Sequence, residues 1–298
     1  MNVYPLSFHL GPLEITGYGI MMMVGFLLGG WLIALELRRR GLNEEYAADI
    51  TFAAVIGGII GAKLWYWIIN GGPLFSRGGL VWYGGFLGGA LAVIANSWRL
   101  KVPLRWTTHL CAPALAAAYA IGRIGCFIVN DDYGRPTTLP WGVKFPQGLP
   151  PSTAQNMQQL FGIAVPPGTD PSTVLAVHPT QLYEVAAMLT VFAILWRLRL
   201  KGRPVGWLFG TYLIMAGIER FLIEFVRAKD DRFFGPLTLA QVTSVGIVVV
   251  GIIITAQLSR AADVPPGPYL SAPRAPSDTG EKMPEATGVG DPQLPASR

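Results

Sequence analysis

Two arginines lie where apolar helices are expected. Arg123 belongs to Gly122-Arg123-Ile124-Gly125-Cys126-Phe127-Ile128-Val129-Asn130-Asp131-Asp132-Tyr133-Gly134, and Arg220 to Arg220-Phe221-Leu222-Ile223-Glu224-Phe225-Val226-Arg227. A charge at the bilayer centre costs about 2.5–3.5 kcal/mol on insertion scales, so an arginine inside a membrane helix generally has a function. Guanidinium groups stay charged at any relevant pH and bind phosphate through two parallel hydrogen bonds. A pair of them in a low-dielectric, lipid-facing site therefore suits a phospholipid headgroup. No CxxC, HExxH, P-loop or dinucleotide fingerprint is present. His9 and His109 lack metal-ligand spacing, so neither a metal nor a cofactor is expected.

These arginines need elements to hold them. Of 298 residues, 51% are hydrophobic and only 14% are charged, and the mean hydropathy is +0.42. With its long apolar runs, this composition reads as an integral membrane protein. A crossing takes about 20 apolar residues. Spans are expected near 17–37, 46–69, 80–98, 106–128, 181–197, 205–226 and 238–258, giving an all-α bundle of seven transmembrane helices. Basic clusters at Arg38-Arg39-Arg40, at Arg99, Lys101 and Arg105, and at Arg197, Arg199, Lys201 and Arg203 fall on one side. The positive-inside rule makes that side cytoplasmic, with the N-terminus outside and the C-terminus inside. The net charge of +5 then reflects cytoplasmic loops, not nucleic acid. The N-terminus lacks a basic n-region and a small-residue cleavage site, so the first apolar run reads as a retained span. Cys111 and Cys126 read as buried thiols.

Residues 1–260 are expected to form the membrane domain, with a long outer loop at 129–180. That loop is proline-rich, and Trp141-Gly142-Val143-Lys144-Phe145 has the pattern of a short strand. Residues 261–298, rich in Pro, Gly, Ala and Ser, read as a disordered cytoplasmic tail. Glycines spaced by four at Gly25/Gly29 and Gly57/Gly61 read as helix-packing positions. Gly84 and Gly85 follow Tyr83 directly and fit either packing or a site.

Helix rise sets depth. Arg123 lies about 25 Å along an outward-running span and Arg220 about 22 Å along another. Lys63 lies at a similar depth. Tyr18, Tyr83, Gln181, Tyr183 and Glu184 begin inward-running spans, so polar groups share the outer half, while the inner half contributes nothing comparable. Arg220 and Glu224 at i,i+4 can also simply neutralise one another, and Arg227, on the same stripe, and Lys63 can snorkel. A lipid transporter or scramblase would need intramembrane charges too, but near the midplane and within repeats. No internal repeat is visible.

The motifs together resemble the prolipoprotein diacylglyceryl transferase family. They are Gly122 to Gly134, Pro140-Trp141-Gly142, His178-Pro179-Thr180-Gln181-Leu182-Tyr183-Glu184, Arg220 to Arg227, Gly17-Tyr18-Gly19 and Gly206-Trp207-Leu208-Phe209-Gly210. The resemblance spans roughly residues 5–260. It implies a multi-pass enzyme of the bacterial inner membrane, with phosphatidylglycerol as donor. The acceptor would be the lipobox cysteine in a prolipoprotein signal peptide, giving a thioether and releasing glycerol 1-phosphate. Arg123 and Arg220 would then hold the phosphate, and Tyr18, Gly134, Gln181, Glu184 and Glu224 would contact substrate. The family's best-studied members carry His-Gly-Gly where this chain has Tyr83-Gly84-Gly85, Asn at Cys126, and Glu at Asp131. Tyr83 and Asp131 are accordingly catalytic candidates. A phenol is a weak base at neutral pH. Either the arginines' field ionises the acceptor thiol, or the chain is a paralogue with altered activity.

Overall fold

A computed structural model of the chain describes residues 1–11, 13–71, 81–228, 232–234 and 236–272. Helices dominate. The elements run β1 (Ser7–Leu10), β2 (Leu13–Thr16), α1 (Gly17–Arg39), α2 (Glu45–Asn70), α3 (Trp82–Arg99), α4 (Leu104–Ile128), α5 (Ala154–Gln159), α6 (Thr180–Leu198) and α7 (Trp207–Ile223). After them come β3 (Arg232–Phe234), β4 (Leu237–Thr238), α8 (Leu239–Ser259) and α9 (Pro268–Ser271). The strands form two antiparallel hairpins, β1–β2 and β3–β4.

Among the described residues, α1, α2, α4, α6 and α8 are long and apolar enough to cross a membrane. Their outward faces carry large apolar side chains in contact with the surroundings, among them Leu27, Phe52, Ile68 and Ile252. Water would make such a surface unfavourable, whereas lipid tails accept it. The glycine-bearing α3 and the 17-residue α7 are not among the five.

Small residues determine how the helices pair. α4 lies centrally, packed on α1, α6 and α7, while α2 pairs with α3 and α7 with α8. A Cβ at Gly88 would lie 2.7 Å from Gly61 Cα, and one at Gly57 would lie 2.6 Å from Gly88 O. Backbones meet directly there, as dispersion-driven packing in lipid requires. Gly84 faces Gly61 and Trp65 across the same contact, which makes it a packing residue. α7 and α8 repeat the device, with Gly251 O 2.9 Å from a Cβ at Gly210.

Four expectations change. First, α7 stops at Ile223 rather than 226, so Glu224 and Arg227 follow the helix, and Arg227 leaves the expected stripe. Second, residues 141–145 form no strand. Val143 makes a single bridge to Val177, and Lys144 one to Asn2. The segment instead belongs to a lobe between α4 and α6 whose core contains Tyr133, Val143, Phe145, Met157 and Val177.

Third, ordered structure continues past 260. Trp106 Nε1 donates to Val264 O at 2.8 Å, Asn43 N to Leu270 O at 3.0 Å, and Tyr269 OH to Asp49 Oδ2 at 2.6 Å. Leu270 is fully buried in the core formed by Leu37, Tyr46 and Trp106. An apolar anchor and main-chain acceptors keep 261–272 against the helix ends. Residues 273–298 lie outside the described residues. Fourth, the basic end of the bundle holds a buried carboxylate, Glu36, ringed by Arg39, Arg40 and Arg199, and a buried His109 that accepts from Gly206 N at 3.0 Å. The polar groups are therefore not confined to the opposite half.

Replacing Gly88 with Val should force α2 and α3 apart at a cost of about 1–3 kcal/mol, read as a lowered melting temperature in detergent. Gly246, whose added Cβ would meet nothing within 4 Å, is the control. Equal melting of Gly88→Val and Gly246→Ala would contradict this packing.

Candidate functional site

The turn after α4 is built by its own sequence. Asn130 N donates to Phe127 O, and Asp131 N to Cys126 O. Asn130 has φ +63°. This is a Schellman ending with Asn130 in the left-handed position, which Asn tolerates better than most residues. The buried Asn130 side chain also donates to Val3 O at 2.9 Å. Asp132, likewise at φ +63°, turns its carboxylate back toward α4.

The segment after α7 is stitched to this turn. Gly134 and Arg227 form an antiparallel bridge, and Arg135 N donates to Val226 O at 2.8 Å. Only glycine fits at 134: a Cβ would lie 2.6 Å from Val226 O and 2.7 Å from His178 Cβ. The start of α6 holds the same turn, as Gln181 Nε2 donates to Asp131 O at 2.5 Å and Thr180 Oγ1 to Asp132 O at 2.8 Å.

A charge cluster results. Arg123 Nη1 pairs with Asp132 Oδ2 at 2.7 Å, and Arg227 Nη2 with Asp132 Oδ1 at 2.7 Å. Arg123 Nε pairs with Glu184 Oε2, which also accepts from Tyr119 OH at 2.9 Å. Arg220 Nη1 donates to Glu224 Oε2 at 2.6 Å, and Arg227 lies 3.8 Å from both Glu224 and Glu184. Three guanidinium groups thus interlock with three carboxylates. Glu184 is 1% exposed and Asp132 is 37% exposed, so Asp132 is the counter-ion on the open side. A cavity of about 170 Å³ adjoins it, lined by Asp131, Asp132, Tyr133, Phe161 and Arg227. Among the described residues, Glu184 Oε1, Glu224 Oε1 and Arg227 Nε within the cluster, and Gln181 Oε1 beside it, find no hydrogen-bond partner.

The expected residues distribute as follows. Arg123, Glu184, Arg220 and Glu224 belong to the cluster. Gln181, Gly134 and Asp131 build the turn that supports it, with Asp131 Oδ1 accepting from Asp132 N at 2.7 Å. Tyr18 packs on Gly125, the residue before Cys126, with its Cδ2 3.2 Å from a Cβ placed at Gly125. Tyr83 is 59% exposed on α3, which packs along α2 and touches α4 only lightly; it is not a member of the ion-pair cluster. Cys126 Sγ lies 3.6 Å from Arg123 Nη1. Sequence reading missed the Asp132 bridge and Tyr119. Tyr119 was detectable, since it lies four residues before Arg123 on the same helix face.

The family model for prolipoprotein diacylglyceryl transferase matches residues 5–257. The chain belongs to that family. It is similar to proteins named phosphatidylglycerol–prolipoprotein diacylglyceryl transferase. The one from Geobacter sulfurreducens is 31% identical over 275 residues, covering 87% of this chain and 96% of that protein. Those from Cupriavidus metallidurans and Vibrio cholerae are each 33% identical over 270 residues, covering 84% and 85% of this chain and 91% and 90% of theirs. The family match includes every residue of the charge cluster.

Burial, followed by repulsion from Asp132, raises the Asp131 pKa above the ordinary carboxylate value. A raised folded-state pKa favours folding while the group is protonated, and that contribution is lost as pH rises through it. Ionised Asp131 therefore weakens the fold at neutral pH. Asp131→Asn should melt higher than wild type at pH 7, with the difference shrinking as pH falls into the carboxylate range. A pH-independent difference would contradict this.

Proposed function

We propose that this membrane protein transfers the diacylglyceryl group of phosphatidylglycerol to the lipobox cysteine thiol of bacterial prolipoproteins, releasing glycerol 1-phosphate. The observation that carries the proposal is the interlocked Arg123–Asp132–Arg227 and Arg220–Glu224 cluster inside the family-matching region. In this reading all seven long helices cross the inner membrane, with the N-terminus outside and the Arg-rich end cytoplasmic. The cluster then lies at the outer leaflet, where donor lipid and secreted acceptor meet.

The acceptor thiolate attacks the glyceryl carbon esterified to phosphate. A carbon–sulfur bond forms, the carbon–oxygen bond breaks, and its electron pair leaves on the phosphate oxygen. The negative charge on that leaving group grows through the transition state. Fixed guanidinium groups meet it without reorganisation, which is often the largest catalytic contribution. Arg123 and Arg220 fill that role, held by Glu184, Tyr119 and Glu224. Asp132, the more exposed counter-ion, yields its place to the incoming phosphate. Gln181 and Gly134 hold the turn that carries Asp132, Tyr18 packs beside it, and the 129–180 lobe recognises the acceptor. Once Asp132 is displaced, the Arg123 guanidinium also favours ionisation of the acceptor thiol, whose proton passes to solvent, so Tyr83 need not serve as a base.

Purified protein incubated with labelled phosphatidylglycerol and a lipobox peptide should give lipidated peptide and glycerol 1-phosphate. Lipid movement without covalent transfer would overturn the proposal. Arg123→Lys should lower transfer by about 10²–10³-fold, the scale of one lost transition-state donor, because a point charge does not reproduce the fork. Tyr83→Phe should stay within about tenfold of wild type, since losing a general base costs about 10²–10⁴-fold. A loss of that size with lipid binding intact would make Tyr83 the base.

A further inference from the structure

The basic end of the bundle holds a second arginine-lined cavity, of about 270 Å³, bordered by Arg39, Arg40, Arg199, Arg203, Val205 and Asp263. Its walls come from the ends of α1 and α6, the α6–α7 connection and the segment after α8. Glu36, 3% exposed, accepts from Arg39 at 2.6 Å, Arg40 at 2.6 Å and Arg199 at 2.5 Å. One carboxylate thus organises three guanidinium groups and neutralises one.

Arg203 adds a fourth positive charge. The other acid among the described lining residues, Asp263, accepts from Val205 N at 3.0 Å. The cavity wall therefore carries a surplus of positive charge. The arginines are also fixed in place: Arg199 stacks on Trp196 at 3.7 Å, Arg40 on Trp106 at 5.2 Å and Arg203 on Trp207 at 5.2 Å. Arg199 Nε is buried and finds no hydrogen-bond partner among the described residues. Flat, stacked guanidinium groups with spare donors match a tetrahedral polyanion better than a monovalent ion. Basic pockets between helices at the cytoplasmic face bind anionic lipid headgroups.

We infer that this cavity is a second binding site, separate from the Arg123 cluster, for a phosphate group. The phosphate belongs to a phospholipid headgroup of the facing leaflet or to a soluble phosphate. A ligand there ties α1 and α6 to the α6–α7 connection and stabilises that end of the bundle. Assigning the facing leaflet to the cytoplasmic side rests on the topology proposed above; the binding chemistry does not.

The test uses full-length protein in lipid-free detergent, with short-chain phosphatidic acid and inorganic phosphate as separate probes. Lipid binding is counted by native mass spectrometry, and stabilisation is read from melting. Wild type is compared with Arg203→Gln and with the Arg199→Gln/Arg203→Gln double variant, each accepted only with a cooperative melt. Phosphatidic acid should bind the double variant at least about tenfold more weakly at this site, since hydrogen bonds to charged groups are worth that much. The same loss for inorganic phosphate alone would name the soluble source and still support the site. Equal binding of both probes by wild type and folded variants overturns it. If the variants fail to melt cooperatively, arginine modification of wild type decides: a probe should protect Arg199 and Arg203, and no protection by either overturns the inference. None of these readouts requires transferase activity, so they fail or succeed independently of the proposed reaction.

Discussion

A guanidinium group cannot give up its charge when it enters an apolar bundle, and the architecture around Arg123 follows from that constraint. A buried charge is tolerated only with a partner, and removing one partner leaves the other uncompensated. Glu184 and Asp132 both face Arg123, and Asp132 also reaches Arg227. The shared carboxylate links the ends of α4 and α7. The Asn130 turn, the Gly134–Arg227 bridge and the Gln181 and Thr180 hydrogen bonds all serve to put Asp132 between the two arginines. In the proposed reaction this same pairing prepares the site, because arginines already held in place would need little rearrangement if phosphate replaced the exposed carboxylate.

The two ends of the bundle solve related problems differently. At the Asp132 end, three carboxylates match three arginines, and the most exposed of the three acids is Asp132. At the other end Glu36 lies beneath three arginines and leaves positive charge unmatched. The segment 261–272 closes over that end through Trp106, Asn43 and Leu270. Between the ends, glycine contacts let α2–α3 and α7–α8 approach closely, while α4 carries the cluster's first arginine through the middle.

Much of this was legible in the sequence because charge is conspicuous among apolar residues. Arg123, Glu184 and Arg220 could be found by depth and Glu224 by its i,i+4 spacing from Arg220, and the structure brings Arg123 to Glu184 and Arg220 to Glu224. The helices were legible for the same reason, to within a few residues at most ends. Asp132 and Arg227 were harder: their pairing depends on a left-handed turn at Asn130 and on α7 ending three residues early, neither of which hydropathy registers. Glu36 was hidden because it adjoins Arg38-Arg39-Arg40 and reads as part of a solvated loop cluster. The strand expected at 141–145 failed because the apolar residues there, Val143 and Phe145, are used by the lobe's core rather than by a ladder. Tyr83 begins α3 as expected from the apolar pattern, but no sequence rule indicated that α3 would pair with α2 instead of with the cluster helices.

In the proposed function, the arginine cluster is a seat for phospholipid phosphate. A cryo-electron microscopy structure of the protein in nanodiscs containing phosphatidylglycerol tests it most directly. Lipid phosphate should lie within hydrogen-bond distance of Arg123 and Arg220, with the Asp132 carboxylate displaced from Arg123. Lipid density elsewhere, with the Arg123–Asp132 and Arg220–Glu224 pairs intact, would contradict it.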